Sequence, residues 1–283
     1  MLIAYKMKLK PTKEQIKISY NVLNISKDLY NHLLDLRKRH YNNYKKSISK
    51  SELDNYCTFL KSTDEWKSLN DIHSHLVQDV TARLESAYTN FFEKRAGFPK
   101  FKSRDHYKSF TFKQPSKMNL FSKEGFIKLP KIGDVKLINH RNIDLKSINK
   151  TDKIKTLNIK NENNSWYATI TIEVEIAEPK IKSTEIKAVG LDLGISHYIA
   201  LSNGLFIENP KFLRLSEAKL KQLQRKFSRS KQGSKNQGKL KRKINKLHLK
   251  IKNQRRDFLH KISLQLVKDY DLIVYEELNI KHM

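Results

Sequence analysis

Two acidic residues occupy positions from which this chain could perform metal-assisted phosphodiester chemistry. Asp192 lies in the run Val189-Gly190-Leu191-Asp192-Leu193-Gly194, and Glu276 ends the run Leu272-Ile273-Val274-Tyr275-Glu276. An acid inside apolar strand sequence is costly unless its charge is compensated, and a divalent cation held by oxygen ligands is one form of compensation. An Asp before Gly194 is also the residue type that caps a turn, so Asp192 alone does not decide between the two. Glu276 repeats the arrangement, with Glu277 on the other side of the pleat. If the two strands pair side by side, the acids meet at one edge of a sheet. Such a pair could hold Mg²⁺, and two-metal sites of this kind stabilise the attacking and leaving oxygens of phosphodiester cleavage.

The elements that would position these acids are legible around them. Glu178 to Lys187 (EPKIKSTEIK) has linker composition, and AVGLDLG, YIALSNG and LFIENP then read as three short strands with Gly turns. A basic segment follows, Lys211 to Lys261, with 19 Lys and Arg opposed only by Glu217 and Asp257, so 19 − 2 = 17 of the net +28 charges sit there. Leu213, Leu220, Leu223 and Phe227 mark one helix of it, Leu240, Ile244, Leu247 and Ile251 a second, and Gly233 to Gly238 the turn between them. Almost nothing offsets the repulsion in such a hairpin, which is therefore expected to face a polyanion. Its candidate contacts are Arg225, Arg229, Arg242, Arg255, Arg256 and His260, the last as a helix-surface phosphate contact rather than a general base. The chain closes with the helix end ISLQLVKDY and the strand LIVYEEL. Three strands, a helical excursion and a fourth strand bearing an acid follow the order of an RNase H-like fold.

The N-terminal half reads differently. Residues 2 to 10, LIAYKMKLK, alternate as a half-buried strand that Pro11 ends. Thr12 with Gln15 fits a capping box, and Ile16, Ile18, Val22, Leu23, Ile25, Leu29, Tyr30, Leu33 and Leu34 recur at helical spacing. A break at Ser51 and Asp54 precedes YCTFLK, and Asp71 to Phe92 reads as one long helix with Leu76, Val80, Leu84, Ala87 and Phe91 on one face. Gly97 and Pro99 stop the helices. The segments SFTF, FIKLP, DVKLI, IKTLNIK and WYATITIEVEI then form a small antiparallel β-domain, read as a barrel. The opening strand belongs to it, so the helices are an insertion between its first and second strands.

Composition sets the partner class. The 283 residues carry 57 Lys and Arg against 29 Asp and Glu, a sequence pI near 9.9, and enough large side chains (13 Phe, 12 Tyr, 2 Trp) to fill cores. Polyanions are the natural partners of such a charge, whereas a membrane surface suits a single basic tail or amphipathic helix that is absent here. No apolar run approaches a membrane span and the start lacks a secretory signal, so a cytoplasmic, nucleoid-associated protein is expected. A single cysteine, Cys57, excludes an internal disulfide and a Cys-rich zinc site, and is read as a half-buried apolar residue.

The chain resembles the TnpB/OrfB family of insertion-sequence-encoded, RNA-guided nucleases, known as transposases. The resemblance runs through Tyr5-Lys6-Met7-Lys8-Leu9 with Pro11-Thr12-Lys13-Glu14-Gln15, Leu29-Tyr30-Asn31, Leu84-Glu85-Ser86-Ala87-Tyr88 with Asn90-Phe91-Phe92, Gly97-Phe98-Pro99-Lys100-Phe101-Lys102, Ser109-Phe110-Thr111 and Leu129-Pro130-Lys131-Ile132-Gly133. It is strongest at Gly190-Leu191-Asp192-Leu193-Gly194-Ile195, Asn253-Gln254-Arg255-Arg256-Asp257-Phe258-Leu259-His260-Lys261 and Glu276-Glu277-Leu278-Asn279. It implies an α+β multidomain chain. A wedge-type β-barrel (1–11 plus 106–180) carries an inserted helical recognition lobe (12–105), and a partial RuvC-like, RNase H-fold α/β domain (187–283) follows. It implies further that Asp192 and Glu276 are catalytic acids and Mg²⁺ ligands. Lys6, Lys8, Lys100 and Lys102 would contact nucleic acid, and Gln78 and Thr111 would approach the short motif beside the target. The implied partners are a guide RNA from the transposon end and double-stranded target DNA.

One departure stands out. After the Glu-bearing strand the family continues with helices, a last strand, a four-cysteine zinc module and a third catalytic Asp, which this chain does not carry. Zinc is therefore not expected. The sheet would keep an exposed edge and an uncovered apolar face, and the chain alone is expected to cut DNA inefficiently unless a separate C-terminal chain supplies the rest. A nuclease-inactive, RNA-guided DNA-binding regulator is the alternative expectation; a ribosomal-type protein explains neither acid.

Overall fold

A computed structural model of the chain describes residues 1–115, 118–121, 123–140, 142–150, 153–175, 186–194 and 196–276. The expected linker over 178–187, apart from its last two residues, lies outside these, as do Ile195, Glu277, Leu278 and Asn279. The chain forms an α+β protein of two compact units, Met1–Ile176 and Ala177–Met283.

In the first unit, the opening strand β1 (Leu2–Lys10) buries Met7 and Leu9 and leaves Lys8 and Lys10 in water, as its alternation requires. The sheet also contains β2 (Ser109–Phe112), β3 (Phe126–Leu129), β4 (Gly133–Ile138), β5 (Ile154–Glu162) and β6 (Ser165–Glu173). Its order is β2-β5-β6-β1-β4-β3, with every ladder antiparallel, so the first strand in sequence is internal in space. No ladder joins β2 to β3 among the described residues, and the pairing is that of a six-stranded sheet.

Three helices fall in sequence between β1 and β2. The first, α1 (Lys13–Tyr44), begins with the capping box read from Thr12 and Gln15: the Gln15 amide donates to Thr12 Oγ1 at 3.2 Å, and the Thr12 amide to Gln15 Oε1 at 3.0 Å. Gln15 Nε2 also donates to the Asp134 carbonyl, tying the start of α1 to β4. A second capping box, Ser49 with Glu52, starts α2 (Lys50–Leu60) slightly before the expected break. The helix expected from Asp71 instead starts as α3 (Ser74–Phe92), after a 3₁₀ turn at Lys67–Asp71. Ile72 is extended there, and His73 caps α3 by accepting the His75 amide at 3.2 Å.

Leu29, Leu33, Leu34, Leu53, Leu76, Val80 and Leu84 from the helices and Phe110, Phe112, Ile127 and Ile170 from the sheet belong to one core. Ile18 is the exception to the helical stripe and faces solvent. Cys57 is buried in this core, and burial pushes its thiol up to about 12, consistent with a packing role. A short helix, α4 (Leu145–Lys150), bridges β4 and β5 where no element was expected.

The second unit contains β7 (Ala188–Leu193), β8 (His197–Leu201), β9 (Phe206–Glu208), α5 (Phe212–Ser228), α6 (Lys235–Asp269) and β10 (Leu272–Tyr275). Sheet order is β10-β7-β8-β9, with β10 parallel to β7 and the remaining pairs antiparallel. Ser234 caps α6 by accepting the Gln237 amide, so Gly238 falls inside its first turn rather than in the connection. Gly233, at φ +76°, makes the turn itself. Val189, Ile199, Leu201 and Leu266 form a small core in which the C-terminal part of α6 meets one sheet face.

Candidate metal centre and nucleic-acid interface

The register of β7 against β10 determines where the two acids lie. Leu272 pairs with Ala188 and Tyr275 with Leu191, a constant offset of 272 − 188 = 84, and 276 − 192 is also 84. Residues in register on adjacent parallel strands share a sheet face, so Glu276 follows its strand to the position beside Asp192. Asp192 itself pairs with Ala200 on β8. Both ends of this arrangement are fixed by local bonds. The Lys187 amide donates to the Asp271 carboxylate at 3.1 Å and the Asp271 amide to the Lys187 carbonyl at 2.9 Å, so β10 enters the sheet in register. Within β7 the Gly190 amide donates to Ser202 Oγ at 3.0 Å, and a Cβ on Gly194 would meet the His197 carbonyl oxygen at 3.0 Å, closer than ordinary contact.

The acids are not buried as the apolar runs around them suggested. Val189, Leu191, Ile199, Leu201 and Ile273 pack on the α6 face, whereas Asp192, Val274 and Glu276 are exposed on the other. Leu272 and Phe206 are exposed as well. An apolar run of this length says that a strand is present, but one helix covers only one of its faces. Two carboxylates at one strand end offer hard oxygen donors of the type Mg²⁺ takes, and they fit as part of its shell. Among the described residues no three His, Cys, Asp or Glu are grouped so as to hold a metal ion.

The basic hairpin is largely solvent-facing. Arg225, Arg229, Arg242, Arg255, Arg256 and His260 are all exposed, while α5 buries only Leu220 and α6 only Ile251 and Leu266. Arg256 Nε donates to His260 Nε2 at 3.2 Å, which leaves Nδ1 of that ring for the proton and gives the pair the character of a joint donor surface. A cleft of about 930 Å³ opens between the two helices and β8, walled by Tyr198, Phe212 and Phe258 and rimmed by Arg214, Lys221 and Arg255. Arg214 and Lys221 were not singled out from sequence; their place on the rim depends on how α5 turns against α6.

In the first unit the candidates divide. Lys8 and Lys100 are exposed. Lys6 is engaged by Glu162 and lies 4.3 Å from the centre of the Tyr167 ring. Lys102 is partly buried, its amide donating to Asn31 Oδ1 at 2.7 Å and its ammonium 5.8 Å from the Tyr30 ring centre. Gln78 is exposed on α3, next to Asp79. Thr111 is tied into a network: its amide donates to Asp79 Oδ2 at 2.9 Å, and its hydroxyl accepts from Arg83 at 3.1 Å and Asn158 at 2.8 Å. Arg83 also meets Asp79 at 2.8 Å and Ser109 Oγ at 3.2 Å. The Asp79–Arg83 spacing of four on a helix is the sequence signal that would have found this arginine.

Comparison with known proteins places the chain. A family model described as "Probable transposase" matches residues 171–283, and one described as "Helix-turn-helix domain" matches residues 1–46. In this chain the latter span is strand β1 and the whole of the single 32-residue helix α1. The chain is 32% identical over 282 residues to "Putative RNA-guided DNA endonuclease InsQ" of Escherichia coli (strain K12), covering 100% of this chain and 67% of that protein. It is 29% identical over 281 residues to "Putative RNA-guided DNA endonuclease" of Streptomyces pristinaespiralis, covering 99% and 68%. The chain thus spans about two thirds of the length of these relatives. Its fold is similar to that in "Cryo-EM structure of the Cas12f1-sgRNA-target DNA complex", with a TM-score of 0.51, 13% identity, and coverage of 94% of this chain and 65% of that one. The extent of the first match, with essentially every residue of this chain aligned, means that the chain belongs to the TnpB/OrfB family of transposon-associated, RNA-guided DNA endonucleases.

Proposed function

We propose that this chain binds a guide RNA from its transposon end and, through it, a double-stranded DNA target, with Asp192 and Glu276 as the acids of the nuclease centre. The observation that carries the reading is the common register of β7 and β10, which brings the two acids to one face of one sheet. The strand order β10-β7-β8-β9, with only β10 parallel, supports a RuvC-like, RNase H-type assignment for residues 187–283. In the same reading the six-stranded sheet is the wedge-type domain and α1–α3 the inserted recognition lobe.

Asp192 and Glu276 would hold Mg²⁺, which when bound supplies Lewis-acid stabilisation to phosphodiester oxygens. The rest is the work of the chain itself. Exposed arginines of α5 and α6 hold phosphate backbone, Gln78 and Thr111 approach the target-adjacent motif, and base pairing supplies sequence discrimination. The cytoplasm, beside the nucleoid, is the compartment this activity requires; no helix among the described residues is long and apolar enough to cross a membrane.

Iron-directed cleavage of the polypeptide tests the site. Fe²⁺ with ascorbate and peroxide should cut the chain near residues 192 and 276, excess Mg²⁺ should suppress both cuts, and Asp192→Asn should abolish both together. Cuts elsewhere that ignore the substitution would contradict a shared site.

A further inference from the structure

The helical lobe carries a second cleft, about 560 Å³, between the C-terminal ends of α1 and α3 and the segment that follows α3. It is far richer in exposed aromatic surface than a packing interface requires. Phe98 stands edge-on to Tyr88 and to Phe91, with ring centres 5.7 and 5.2 Å apart, and Phe91 meets Phe92 at 5.4 Å. Yet Phe92 remains 67% exposed, Tyr41 54% and Phe98 42%, a contiguous apolar patch of the kind that marks an interaction site.

Charge around the cleft selects an anion. Lys38 places its ammonium 5.3 Å from the Phe98 ring centre and 4.7 Å from that of Phe101, and Lys94 and Lys100 are exposed nearby in sequence. The neighbouring acids are occupied: Glu85 by Arg37, Glu93 by Arg95 and Asp35 by Arg39.

Arg37 supplies an independent observation. It lines the cleft, is 5% exposed, and lies with its guanidinium 4.2 Å from the Tyr88 ring centre. Nη1 donates to Glu85 at 2.8 Å and Nη2 to Ser47 Oγ at 3.3 Å, but buried Nε has no partner among the described residues. A buried guanidinium N–H without an acceptor is destabilising, a cost the free chain carries at this cleft.

We propose that this cleft, lined by Arg37, Lys38, Tyr41, Tyr88, Phe92 and Phe98, binds unpaired bases of an RNA strand. Aromatic faces stack on bases and Lys38 meets phosphate, while Arg37, held against Tyr88 and paired with Glu85, fixes the wall of the cleft. A duplex cannot use the site, because its base faces are already stacked. RNA is the occupant because folded RNA presents unpaired loops at rest, whereas duplex DNA must first be opened. The inference rests on the RNA-binding half of the proposed function and not on the metal site.

The test uses the full chain and a fluorescein-labelled oligouridylate of about ten nucleotides, within the usual site size for single strands. Anisotropy should show binding, and the double variant Tyr41→Ala/Phe92→Ala, two exposed positions, should weaken it about tenfold or more with an unchanged thermal melt. A 5-iodouridine version should photo-crosslink to Tyr41, Phe92 or Phe98. If native chain binds the oligomer but the double variant binds equally well and crosslinks map elsewhere, the cleft assignment falls while RNA binding stands. If native chain binds no RNA, both fall. Oligothymidylate bound as tightly as oligouridylate would overturn RNA as the occupant.

Discussion

Asp79 and Glu162 show how single carboxylates on this very basic chain are spent on holding it together. Asp79 is buried, and burial pushes its carboxyl above the ordinary range against the opposing pull of Arg83 and the Thr111 amide. Removing it leaves Arg83 partly buried without its partner and the Thr111 amide without an acceptor, so Asp79→Ala is expected to cost about 3 kcal/mol in urea unfolding. A loss within experimental error would mean that the network contributes nothing. Glu162 goes the other way: partial burial pushes its carboxyl up, but the ammoniums of Lys6 and Lys160 outweigh this and hold it below its ordinary value. A lowered folded value stabilises above the unfolded value, so this contribution is complete above about pH 4.5 and is lost as pH falls through the folded value. Glu162→Gln should flatten that acid limb of the stability profile, and an unaltered limb would contradict the assignment. The Asp79–Arg83 spacing of four is visible in sequence, but the Thr111 amide that Asp79 accepts and the Lys6 that Glu162 meets come from other elements and are not.

At the scale of elements, what local chemistry dictates was readable and what tertiary packing dictates was not. The Thr12–Gln15 box, the alternation of β1 and the stop at Gly97 and Pro99 all act over a few residues. Thr12→Ala should accordingly cost about 1 kcal/mol, measured by denaturant unfolding, because the Gln15 amide loses its acceptor. Starting α3 at Ser74 rather than Asp71 depends on a His73 side chain accepting a backbone amide, for which histidine is an unusual choice. The two acid-bearing strands were identifiable from their apolar runs, but their parallel register is a property of the sheet. So is the exposure of Asp192 and Glu276: the sequence of a strand does not reveal which of its faces a helix will cover. The short α4 had no periodic signal to betray it.

At the scale of the whole molecule, charge is divided unevenly in a way that composition already announced. Seventeen of the 28 net positive charges lie in 51 residues of the second unit (19 − 2 = 17 over 211–261), most of them on helix surface in water. Replacing Arg225, Arg229 and Arg242 together by Gln should reduce the slope of log affinity for duplex DNA against log salt by up to about 2.7, at about 0.9 for each phosphate no longer neutralised. An unchanged slope would remove those residues from the interface. The family membership was legible because it is written in short motifs spread along the chain; the aromatic cleft of the helical lobe was not, because its rings come from α1, α3 and the Gly97–Lys102 segment and meet only after folding. The most direct test of the account is a mobility-shift titration of a duplex target with the purified chain and an RNA joining the transposon end to a guide of about 20 nucleotides. The account predicts a stable shift with matched guide and none at the same concentration with scrambled guide; an equal shift with scrambled guide, or with no RNA, would contradict it.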